Sequence, residues 1–79
     1  MTAAVALAPP HDETHRRKRL RLQARRITDH QMDWFKARGH TPDTALQALG
    51  VVDLWNNWEA VESHVFAFSL RILEDTDHA

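Results

Sequence analysis

Apolar positions recur along this chain at helical spacing and nowhere with the alternation of a strand. The clearest run lies near the end, where Leu54, Trp58, Val61, Val65, Phe68 and Ile72 follow at steps of four, three, four, three and four. That heptad stripe predicts a long helix from Asp53 to about Leu73. Toward its end the apolar arc widens to include Phe66, Ala67, Leu70 and Leu73. A helix apolar on most sides must be covered on most sides, which two neighbours in one small chain do poorly.

A second stripe runs through Leu20, Ala24, Ile27, Gln31 and Trp34, with Phe35 beside it. It predicts a first helix from about Asp12 or Thr14 to Arg38. Lys36 and Arg38 suit the negative end of that helix, and Gly39 supplies a left-handed terminating residue. Thr28-Asp29 is an internal cap signal at which the stretch would divide in two. Between the stripes, Thr41-Pro42-Asp43 combines a capping hydroxyl, a proline at the first helical position and an acid at the positive end. A two-turn helix, Pro42–Leu49, should follow and stop at Gly50, held only by tertiary contacts. The expected fold is all-α: a helical hairpin of two long helices with a short connecting helix, paired as a dimeric helical bundle. A single helical domain over 11–79 would follow a flexible N-terminal arm at 1–10, which lacks periodicity and ends in Pro-Pro.

Length and composition sharpen the expectation of pairing. Seventy-nine residues hold one small core and leave a monomer marginal. The absence of cysteine removes disulfides and thiolate metal sites as reinforcement. Association is the remaining route, so a homo-oligomer is expected. No apolar run approaches the roughly 20 residues that span a bilayer, and the start lacks the basic region of a signal peptide. The expectation is a cytoplasmic protein without a membrane partner.

The net charge of −1 conceals a split. Residues 1–38 carry nine basic and four acidic side chains, a net +5, whereas residues 39–79 carry one basic and seven acidic, a net −6. Such a dipole suits contacts between copies or an anionic partner. The basic half concentrates in Arg16, Arg17, Lys18, Arg19, Arg21, Arg25 and Arg26. On a helix Arg17, Arg21 and Arg25 lie together, while Arg19 and Arg26 flank the apolar stripe. Such a face neutralises phosphates without reading sequence, or pairs with an acidic protein surface. A basic first turn opposes the helix dipole by ~0.3–1 kcal/mol per charge, so stability alone does not select it.

Other constellations point away from chemistry. Ala45–Val51 sounds like a helix-turn-helix corner, but Asn56 falls where that motif needs an apolar residue, and Asp53, Glu59 and Glu62 give the following helix the wrong sign for phosphates. His11 and His15 have ligand spacing, yet no third ligand accompanies them. Glu59 and Glu62 lack the Glu-x-x-His pattern of di-iron bundles, and no nucleophile set, phosphate loop or HExxH is present. No cofactor, metal or catalytic residue is expected. Among the aromatic residues, Trp55 stands off the stripe beside two asparagines and is a candidate partner anchor. The oligomer or partner interface is therefore assigned to Trp55, Trp58, Val65, Phe66, Phe68, Leu70 and Leu73. The expected function is that of a small non-enzymatic regulatory or adaptor protein binding a partner protein stoichiometrically. The alternatives are nucleic-acid binding through the basic helix at 16–26, and an accessory subunit of a larger enzyme complex.

Overall fold

A computed structural model describes the backbone of residues 8–77 and the side chains of residues 13–76. Within those residues the chain is all-helical, with α1 at Ala8–Ala37, α2 at Pro42–Leu49 and α3 at Trp58–Asp77. The two long helices form an antiparallel hairpin, and α2 packs against α3 near the turn. Of the arm expected at residues 1–10, the first seven lie outside the described residues, and α1 begins at Ala8, four residues before Asp12. It continues through Thr28-Asp29 without a break. Thr28 is fully buried and donates its hydroxyl to the Ala24 carbonyl at 2.7 Å. A cap at that point would have needed the same oxygen as an acceptor for the following N–H groups.

Both short-range terminations are local chemistry. At the end of α1, Gly39 N–H donates to the Lys36 carbonyl and His40 N–H to that of Phe35, a Schellman closure around a glycine at φ +80°. Thr41 then caps α2 in reciprocal fashion: its hydroxyl accepts from Thr44 N–H, and the Thr44 hydroxyl accepts from Thr41 N–H. Gly50, at φ +71°, closes α2 with Val51 N–H donating to the Leu46 carbonyl. The corner between α1 and α2 is packed by rings, with His40 stacked on Trp34 and edge-on to Phe35, and Arg38 4.3 Å above Trp34.

The core sits at the closed end of the hairpin. Met32 and Phe35 of α1, Ala45 and Leu46 of α2, and Val61 and Val65 of α3 are buried together, flanked by Leu49, Val51 and Trp58. Leu20, Ala24 and Ser69 extend the buried seam toward the open end.

Two further expectations need correction. The third helix starts at Trp58, not Asp53, because Asn57 caps it by accepting from Ala60 N–H at 2.8 Å. The buried seam also departs from the heptad stripes. Leu54, Phe68 and Ile72 on the third stripe, and Ile27 and Trp34 on the first, are exposed, while Thr28 and Ser69 are buried in their place. A straight helix turns 3.6 residues per turn, so a strict heptad drifts off a fixed face by about 20° every seven residues. In α3 the seam therefore runs through Trp58, Val61, Val65 and Ser69.

Candidate partner-binding site

Among the described residues, the large apolar side chains most exposed to solvent lie in residues 51–57, between α2 and α3. Val52 is 101% exposed, Leu54 94% and Trp55 70%. Single exposed apolar residues are ordinary, but three within four positions of one loop are a feature. The loop is held in place by Asp53. One carboxylate oxygen accepts from Trp55 N–H at 2.9 Å, forming a turn around Leu54, and the other accepts from His64 Nε2–H on α3 at 2.7 Å. Hydrogen bonds from the Trp55 amide and then from His64 hold the Asp53 carboxyl below its ordinary pKa, outweighing the opposing effect of partial burial. The Asn57 cap anchors the other side of the loop to α3. The clasp lands next to Phe68, whose ring centroid is 6.4 Å from that of His64. With Phe68 and Ile72 both exposed, apolar surface continues along this flank of α3.

The basic helix faces elsewhere and is partly neutralised from within. Glu13 pairs with Arg16 at 2.8 Å and approaches Arg17 at 3.7 Å. Arg25 donates to Asp29 at 3.0 Å and to Glu62 of α3 at 2.8 Å. Partial desolvation pulls the Arg25 pKa down, but the hydrogen bonds to Asp29 and Glu62 outweigh it and raise the value. The Arg21 and Arg25 guanidinium carbons lie 5.8 and 5.7 Å from the Phe66 ring centre, within cation–π range. Lys18, Arg21, Leu22, Arg25 and Phe66 thereby line one open groove. Lys18, Arg21 and Arg26 make no ion pair with a described residue, and Arg19 is exposed. Because α1 begins at Ala8, the run starts about two turns inside the helix, where the end dipole has decayed. The opposition between basic run and dipole expected at the first turn is accordingly weak.

The seven residues assigned to an interface divide into three groups. Val65 is buried and Trp58 half-buried against the core, so both are engaged within the hairpin. Phe66, Leu70 and Leu73 are half-buried along one flank of α3. Trp55 and Phe68 are exposed. Sequence reasoning missed Val52, Leu54, Asp53 and His64 as members of the loop site. The signals were present: Asp53 two residues before Trp55 suits an Asx turn, and Asn57 three before Ala60 suits an N-cap. They were outweighed by the apparent continuity of the heptad through Leu54.

Among the described residues, no group of three or more His, Asp or Glu side chains is placed to hold a metal, and no helix is long and apolar enough to cross a membrane. No protein-family model, curated protein or solved structure matches this chain.

Proposed function

We propose that this chain is a small, non-enzymatic adaptor or regulatory protein of the cytoplasm, assembled as a dimeric helical bundle and binding a partner protein stoichiometrically. The observation that carries the reading is the clasped loop, which offers Val52, Leu54 and Trp55 to solvent on a backbone already ordered. Ordering a loop before contact lowers the entropic cost of binding, and tryptophan is enriched among residues that dominate interface energies. The partner would supply an apolar recess for Trp55 and extend along Phe68 and Ile72.

The test is affinity capture from the native host with nuclease treatment, followed by reconstitution with the purified partner and calorimetry. Trp55→Ala should weaken binding at least tenfold while helical circular dichroism is unchanged. Unchanged affinity in a folded Trp55→Ala protein would remove this site from the reading.

Nucleic-acid binding through the basic helix is favoured by one observation, the lack of ion pairs at Lys18, Arg21 and Arg26 within the described residues. It predicts duplex or single-strand binding that weakens steeply with salt and is lost in Lys18→Glu/Arg21→Glu/Arg26→Glu. No binding at low salt would eliminate it. An accessory role in a larger complex uses the same exposed apolar flank and predicts aggregation of the isolated chain.

A further inference from the structure

We infer that the flank of the hairpin centred on Leu22 and Phe66 is the face by which two copies of this chain pair, with α1 of each lying over α3 of the other. The inference rests on the dimeric reading above and specifies its surface and symmetry.

The face is built from two complementary halves. On α3, Glu59, Glu62, Phe66, Leu70 and Leu73 follow at steps of three or four, which places them on one flank. On α1, Lys18, Arg21, Leu22 and Arg25 occupy the flank beside it. The Arg25–Glu62 ion pair and the two guanidinium groups over Phe66 put both flanks on the same side of the hairpin. The centre is apolar, with Leu22 60% exposed and Phe66, Leu70 and Leu73 only half-buried. The α1 edge is thus basic and the α3 edge acidic.

That charge layout selects both the occupant and the symmetry. A two-fold axis in the contact plane runs either across the helices or along them. Across, α1 lies on α1 and basic meets basic. Along, α1 lies on the partner's α3, so each basic edge meets an acidic edge and the apolar centres meet each other. In the second arrangement the levels set by Arg25–Glu62 bring Arg21 and Arg25 near the acids of the facing α3, and Lys18 toward its Glu74. The opposite flank lacks this property. It exposes Ile27, Phe68 and Ile72, but its charges do not divide into a basic and an acidic edge. There α1 carries Arg26, and on α3 Arg71 and Asp75, four residues apart, offset each other, so no two-fold arrangement sets a basic edge against an acidic one. One flank pairs copies and the other is left for the partner protein.

Sedimentation equilibrium of the full chain, at moderate salt and over a wide concentration range, tests the assignment. The expected result is a reversible dimer for wild type, weakening of at least tenfold for Leu22→Asp, and no change for Ile72→Asp. Leu22 lies outside the core, so its replacement should leave the hairpin folded, which circular dichroism checks. A charge exchange provides a second readout. Lys18→Glu/Arg21→Glu and Glu62→Lys/Glu74→Lys should each dimerise poorly alone and form a heterodimer when mixed. Mixing restores charge pairing only between chains, since Lys18 and Arg21 make no ion pair with a described residue of their own chain and the Arg25–Glu62 pair stays broken in the Glu62→Lys/Glu74→Lys chain. A wild-type dimer that Leu22→Asp leaves intact, or mixed variants that stay monomeric, would overturn the face and spare the dimer. A wild-type monomer throughout would overturn both, and leave the Trp55 site standing.

Discussion

Asp53 shows most directly how one residue type converts local chemistry into a presented surface. Its two oxygens are occupied by different elements, the loop amide of Trp55 and the α3 ring of His64. The carboxyl has a lower pKa folded than unfolded, so its contribution to stability is full above the unfolded value of about 3.9 and is lost as pH falls through the lower folded value. Asp53→Asn should therefore melt below wild type at neutral pH, and the gap should close as pH drops below about 4. A gap that persists unchanged in acid would show that the carboxylate is not its source. Val61 is the other informative single residue, fully buried between all three helices. Val61→Ala removes two methyl groups from this seam and should cost about 2 kcal/mol in chemical denaturation.

Among the elements, α2 was the most legible. Its limits, Pro42 and Leu49, coincide with those expected, because Thr41, Pro42 and Gly50 act within one or two residues of themselves. Ala45 and Leu46, buried in the shared core, hold α2 in place, since eight residues do not sustain a helix alone. Thr41→Ala should destabilise by about 1 kcal/mol through the lost cap. Gly50→Ala should cost a similar ~1–2 kcal/mol. At Gly50 the origin is purely conformational, because an added Cβ meets nothing within 4 Å. Thermal melts of the two variants check both values, and a neutral Gly50→Ala would contradict the left-handed geometry. The long helices were legible in existence but not in phase. Heptad spacing identified them, yet Thr28 and Ser69 are buried where Ile27 and Phe68 were expected, since drift between 3.5 and 3.6 residues per turn is invisible in a pattern of letters.

For the molecule as a whole, the described core is thin. Val61 and Thr28 are the largest side chains fully removed from solvent, and the buried seam narrows to Leu20 and Ser69 at the open end. A single hairpin with so small an interior would gain stability by mass action from the proposed pairing. The melting temperature of the wild-type chain should therefore rise with protein concentration, and that of Leu22→Asp should not. A concentration-independent melt for both would place all of the stability within the monomer.

The sequence by itself determined that the chain is all-helical, where α2 begins and ends, and that charge divides between the two halves. These are properties of local chemistry and composition, carried by residues next to one another in the chain. Tertiary structure decided which face of each long helix is buried, that residues 51–57 leave the heptad to form a clasped loop, and which of the cations are already paired. Those outcomes depend on contacts between distant positions, such as His64 with Asp53 and Glu62 with Arg25, whose geometry is set by the relative rotation of packed helices and not by spacing along one of them.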